Sequence, residues 1–184
     1  MKKGDQAPDF KIFSDAARPF HLSKQLESGP VVLLFFPAAF TGVCTTELNT
    51  VNMDLEAYGG ATVVGVSTDA PFTLAEYKKV NGLTFPLLSD HDADVSLAYG
   101  CKYIDGFTFM KLSRISKRAA FVVAPDGVIA YAEILENAGD QPDLDAIKST
   151  ISTTKPEFAL TTAEQSALLT MLENGSRGRT DLAS

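Results

Sequence analysis

Cysteine and histidine are both scarce: two of each in 184 residues. Two cysteines in a chain this long do not make a disulfide scaffold. They are Cys44 and Cys101, too far apart for a C-x-x-C pair. His21 and His91 have no motif partner, which leaves neither a Cys–His dyad nor a metal set. No glycine-rich phosphate loop and no cofactor signature occurs, so no cofactor is expected. No segment approaches the roughly 20 apolar residues that span a bilayer. The opening MKKGDQAPDF has two lysines but no apolar core, unlike a secretory signal. A reducing, cytoplasmic setting is therefore expected, with no membrane partner. Sixteen Lys and Arg against twenty-three Asp and Glu give a net charge of −7, which disfavours nucleic acid and anionic surfaces. No internal repeat or linker divides the chain. A hydrophobic content of 45% with 21% charged residues fits one soluble domain. Residues 1–174 are read as that single domain, and the polar stretch 175–184 as a disordered tail.

What is present is concentrated in residues 31–47, VVLLFFPAAFTGVCTTE. Val31 to Phe36 is an unbroken β-branched and aromatic run, as in a central strand buried on both faces. Pro37 stops it, because proline cannot donate to the next rung. After a loop from Ala38 to Gly42, the residues Leu48, Val51, Leu55 and Tyr58 recur at helical spacing. Thr41 suits the N-cap and Glu47 an early position in that helix. Cys44 then falls in the first turn, where free N–H groups and the helix dipole favour a thiolate. Thiols in such places can have pKa values of roughly 3.5–7.5, and the thiolate is the nucleophile. A buried, inert thiol is the competing reading.

Along the rest of the chain, Phe10, Ile12 and Phe13 with Phe20 to Leu22 predict an N-terminal hairpin. Ser23 to Glu27 predicts one helical turn. Ala61 to Ser67 is a second buried strand, which implies a parallel crossover from the first. Pro71 opens a helix with Leu74, Tyr77 and Val80 on its face, closed by Asn81-Gly82. Phe85 to Leu88 is a short strand. Ser89 to Asp94, SDHDAD, lacks the glycine and spacing of a calcium loop and reads as a cap for a helix over Val95 to Tyr99. Residues 101–117 show no clear period. The basic group Lys111, Arg114, Lys117 and Arg118 reads as a mostly solvated face. Ala119 to Ala124, Pro125-Asp126-Gly127 and Val128 to Glu133 form the clearest hairpin. Helices are expected from Pro142, with Leu144 and Ile147 inward, and over Thr162 to Leu172. The fold class is α/β: a mixed central sheet with helices on both faces.

Pro37, Thr41 and Cys44 form P-x-x-x-T-x-x-C, followed by Thr45 and Glu47. This resembles the active-site motif of the peroxiredoxins, the cysteine-dependent peroxidases of thioredoxin-like fold. GDQAPDF resembles their G-x-x-A-P-x-F entry, and RAAFVVAPDG their arginine before F-V-V/I-D-x-G. FPAAFTGVC, GLTFPLLSD and LAYG look most like the AhpE-type and bacterioferritin-comigratory-protein branches. The resemblance covers roughly residues 4–150. It implies that Cys44 is the peroxidatic nucleophile and Thr41 a hydrogen-bond donor to peroxide. It also implies that Pro37 shields the thiol, Arg118 is the activating cation, and Glu47 holds that arginine. It further implies hydrogen peroxide or organic hydroperoxide as substrate, a thiol reductant (thioredoxin, glutaredoxin or a low-molecular-weight thiol) and a homodimer.

Other readings of the same residues are a thioredoxin-like disulfide oxidoreductase and a redox sensor. In relatives a resolving cysteine lies five residues after the peroxidatic one, here Asn49. Elsewhere it lies in the next helix, here Leu74 to Tyr77, or near the C-terminus. No cysteine occupies those places. Cys101 is accordingly read as a small hydrophobe at a packed junction, giving a one-cysteine mechanism. The remaining alternative is that segment 101–117 carries Cys101 across to Cys44 as a resolving cysteine.

Overall fold

The computed structural model describes residues 1–154. The expected helix at 162–172 and the tail 175–184 lie outside the described residues. In chain order the elements are β1 (Lys11–Ser14), β2 (Pro19–His21), α1 (Leu22–Leu26), β3 (Val31–Phe35), α2 (Gly42–Met53), a 3-10 turn (Leu55–Tyr58), β4 (Thr62–Ser67) and α3 (Pro71–Asn81). There follow β5 (Leu87–Ser89), α4 (Asp94–Ala98), β6 (Arg118–Val123), β7 (Ile129–Leu135) and α5 (Leu144–Thr154). Among the described residues the strands form one seven-stranded sheet, ordered β2-β1-β5-β4-β3-β6-β7. β3, β4 and β5 run parallel. β6 and β7, and β1 and β2, are antiparallel additions on either side. This is the expected mixed α/β architecture with its N-terminal hairpin.

β3 organises the core. Val31 to Phe36 are all fully buried, and alternation sends them to opposite faces. Val32, Leu34 and Phe36 pack with Leu48 and Val51 of α2, Leu74 and Tyr77 of α3, and Ile147 and Ile151 of α5. Val31, Leu33 and Phe35 pack with Leu22 and Leu26 of α1, Val95 of α4, and Tyr99. Each fully buried side chain of this size contributes about 1.5–3 kcal/mol relative to exposure. An apolar run of this length is stable only as a covered central strand.

Three local readings differ from the observed structure. The periodicity over Leu48, Val51, Leu55 and Tyr58 does not mark one helix. α2 ends at Met53, and Leu55 and Tyr58 continue the same buried face on a 3-10 turn closed by Gly59 at φ +61°. Val80 is 64% exposed. Steps of three residues each fall about 60° short of a full turn, so the second step from Leu74 leaves the inner face. The basic group is a solvated face only at Lys111 and Arg114. Arg118 is buried, and Lys117 pairs with Glu136 at 2.6 Å. The cap reading of SDHDAD does hold. The Asp90 carboxylate accepts from the Val95 and Ser96 N–H groups at 3.0 and 2.7 Å and from the Ser96 hydroxyl.

Gly65, in the middle of β4, has no room for a side chain. A Cβ there would sit 2.7 Å from Leu87 Cδ2 and 3.2 Å from a Phe36 ring carbon. Gly65→Ala is expected to destabilise the fold by about 1–3 kcal/mol through overpacking, read as a lowered urea midpoint at unchanged slope.

Candidate active site

The site forms where β3 ends. Phe36 N–H still bonds the Val66 carbonyl at 3.0 Å, and the buried Pro37 then turns the chain out of the sheet. The loop that follows is pinned from α3 and from the end of β4. Ala39 N–H donates to Asp69 Oδ2 at 2.8 Å, and the Ser67 hydroxyl donates to the same oxygen at 2.5 Å. Phe40 adopts φ +60° and sets its ring edge-on to Tyr77, with centroids 5.1 Å apart. Tyr77 is itself buried, and its hydroxyl donates to Thr45 Oγ1 at 3.0 Å. The Thr45 hydroxyl donates in turn to the Thr41 carbonyl at 2.8 Å.

Thr41 occupies the N-cap position, but its side chain makes no cap. Its hydroxyl donates to the Ala38 carbonyl at 2.8 Å, which closes the loop on itself. The expected capping bond is absent: the hydroxyl is turned to the loop carbonyl and accepts from no N–H of the first helical turn. Cys44 is the third residue of α2 and is 2% exposed. It thus belongs to the first turn, whose N–H groups have no intrahelical acceptor.

Antiparallel pairing brings in the cation. Ala119 of β6 is opposite Phe35, so Arg118 falls beside the end of β3. Its Nη2 lies 3.4 Å from Cys44 Sγ and donates to the Ala138 carbonyl at 3.0 Å. Its Nη1 forms an ion pair with Glu47 Oε2, one helical turn after Cys44. Arg118 and Glu47 are 1% and 0% exposed. Burial pushes the Glu47 carboxyl up to about 7, against the pull of Arg118. Burial also works against the Arg118 charge, but Glu47 and Cys44 outweigh it, and the guanidinium is held above its ordinary value. Glu47 Oε1 and Arg118 Nε have no hydrogen-bond partner among the described residues.

A cavity of about 170 Å³ opens onto this group. Pro37, Ala38, Thr41, Gly42, Val43, Cys44, Phe107, Arg118 and Ala138 line it. A larger cleft of about 390 Å³, between Phe13, Pro71 and His91, contains neither thiol. The structure thus brings Pro37, Thr41, Cys44, Glu47 and Arg118 together.

Cys101 is elsewhere. It is fully buried in the cluster on the opposite face of the sheet from Cys44. Burial, reinforced by Asp90, pushes its thiol up to about 12. Asp69, Tyr77, Phe107 and the Ala138 carbonyl were not singled out from sequence. Ser67-x-Asp69 directly after a buried strand was a usable signal for the first. The contacts of the others are long-range and left none.

Residues 3–132 match the AhpC/TSA family. Alkyl hydroperoxide reductase E of Mycobacterium bovis is 35% identical over 139 residues, covering 73% of this chain and 86% of that protein. A thiol peroxidase of Bacillus subtilis is 29% identical over 145 residues, covering 78% and 82%. The crystal structure of peroxidoxin BcpB from Mycobacterium tuberculosis superposes with a TM-score of 0.75 at 31% identity, covering 85% of this chain and 99% of that one. The same strand-to-helix turn that the sequence marks most strongly lies inside the matched span, and the chain belongs to the AhpC/TSA family of peroxiredoxins.

Proposed function

We propose that this thiol-dependent peroxidase uses Cys44 as its peroxidatic nucleophile, with Arg118 as the activating cation. The carrying observation is the 3.4 Å approach of Arg118 Nη2 to Cys44 Sγ in a mostly apolar cavity. The Cys44 thiolate attacks the terminal oxygen of hydrogen peroxide or an organic hydroperoxide. The S–O bond forms as the O–O bond breaks, and the leaving alkoxide or hydroxide takes a proton. The products are a sulfenic acid and alcohol or water. Charge moves from sulfur to the leaving oxygen, and a fixed guanidinium close to both stabilises that shift. Glu47 acts through Arg118 by holding its fork in place. Pro37 excludes water from the thiol, and the Thr41 hydroxyl lines the space where peroxide would bind.

Two external thiols return the sulfenic acid to the thiol, forming a disulfide and water. Thioredoxin, glutaredoxin or a low-molecular-weight thiol fits this step, in a reducing cytoplasmic setting. A disulfide requires Cα atoms roughly 4.4–6.8 Å apart, and the opposed clusters holding Cys44 and Cys101 support a one-cysteine cycle. A homodimer is part of the reading. Exposed Phe40, Phe72 and Phe109 are apolar surface available to it. Residues 1–174 are proposed to act as one domain.

Cys44→Ser is expected to abolish peroxide consumption with an unchanged circular dichroism spectrum; turnover near wild type would remove Cys44 from the mechanism. Arg118→Ala should slow the peroxide step at least tenfold, about 1.4 kcal/mol of barrier, in stopped flow. Arg118→Lys keeps the charge without the fork and should recover only part of that rate. One equivalent of peroxide added to reduced protein should leave Cys44 as a sulfenic acid trappable by dimedone. A Cys44–Cys101 disulfide in most molecules, mapped by mass spectrometry, would contradict the one-cysteine cycle.

A further inference from the structure

Residues 101–117, which show no legible period, contribute Phe107 to the lining of the cavity at Cys44. The segment folds back on itself through bridges between Lys102 and Ser116 and between Phe107 and Leu112. Phe107 and Leu112 exchange backbone hydrogen bonds at 2.9 and 3.1 Å. The tip is tight. Gly106 has φ +85°, and a Cβ there would meet the Lys111 carbonyl carbon at 2.9 Å. Thr108 and Lys111 also have positive φ. The Phe107 ring lies against Tyr103, with centroids 4.9 Å apart. The Lys117 ammonium stands over the Tyr103 ring at 5.8 Å and is tied to Glu136. Phe107 is thus braced from behind while its ring lines the space in front of Cys44 and Arg118.

That space is larger and less polar than hydrogen peroxide needs. A water requires about 10–15 Å³ of such volume, so about 170 Å³ far exceeds what two oxygens fill. Pro37, Ala38, Val43 and Phe107 supply apolar walls. Outside the cavity the same segment exposes Ile104 (74%), Phe109 (92%) and Met110 (56%). The segment that supplies Phe107 to the cavity thus also carries exposed apolar side chains.

We propose that Phe107 is a specificity-determining residue, whose ring contacts the apolar substituent of an organic hydroperoxide while the O–O group lies at Cys44 and Arg118. The inference rests on the peroxidase reading above. Contact of an apolar substituent with a braced ring favours such substrates over hydrogen peroxide, which has no group to place there. The chemistry is unchanged: the terminal oxygen goes to sulfur and an alcohol leaves.

The test is the ratio of second-order rate constants for cumene hydroperoxide and hydrogen peroxide, measured by stopped flow on the full chain. Phe107→Ala should lower that ratio about tenfold or more, and Phe107→Leu, which keeps apolar bulk, should give an intermediate value. A purely structural role would lower both rates together and leave the ratio unmoved. An unchanged or raised ratio in Phe107→Ala overturns the proposal. So does an unchanged ratio accompanied by loss of a dimer in light scattering, which would assign the ring to a second copy of the chain. Failure of the wild type to consume either peroxide is a different result: it removes the peroxidase reading itself, and this inference with it.

Discussion

A buried guanidinium is the constraint around which this molecule is built. Removing such a charge from water costs several kcal/mol even after relaxation. Arg118 is 1% exposed, so the fold must return that cost through fixed partners. Two unit charges at about 4 Å attract by roughly 4 kcal/mol at an effective dielectric near 20, and Glu47 supplies one such partner. Burial works against the Glu47 carboxylate and Arg118 favours it, just as Glu47 favours the buried guanidinium, so each charge of the pair is held by the other. The second nitrogen of the same fork faces Cys44 Sγ and the space in front of it.

The turn carrying Cys44 is held in a conformation it would not adopt alone. A bulky residue such as Phe40 at φ +60° costs of order 1–3 kcal/mol and persists only where its surroundings over-determine it. Here Asp69 holds Ala39 from one side, and Tyr77 meets both the Phe40 ring and Thr45 from the other. The turn carrying Cys44 is therefore positioned by residues far from it in the sequence. Geometry fixed before substrate arrives is the condition under which a donor such as Arg118 acts without reorganising during reaction.

The parts legible in the sequence share one property: their signal is local. Val31 to Phe36 could only be a covered strand, Pro37 had to end it, and the thiol had to follow in a first helical turn. Arg118 was legible only because RAAFVVAPDG, the segment leading into the Pro-Asp-Gly turn, resembles the peroxiredoxin arginine pattern; the hairpin reading itself began its strand at Ala119. The illegible parts depend on partners distant in sequence. Asp69 reaches Ala39 across 30 positions and Tyr77 reaches Thr45 across 32. No periodicity records such pairings. Segment 101–117 failed for a second reason. Its conformation rests on three residues at positive φ, Gly106, Thr108 and Lys111, two of them not glycine, and on an aromatic pair, none of which has a sequence period. Leu55 and Tyr58 show a subtler failure, since a 3-10 turn can continue a helix's buried face after the helix itself has ended.

The alternation of side chains along β3 has a consequence for how the protein tolerates change. One face of the sheet carries Cys44; the other carries Tyr99 and Cys101. Effects of substitutions at sites separated by more than about 7–10 Å and sharing no partners add nearly independently. Substitutions on the Cys101 face that share no partner with Arg118, Glu47 or Cys44 are therefore expected to act through stability. Those that touch that group act on the proposed site as well. A single strand read in steps of two thus sorts changes in the core by whether they can reach the cavity.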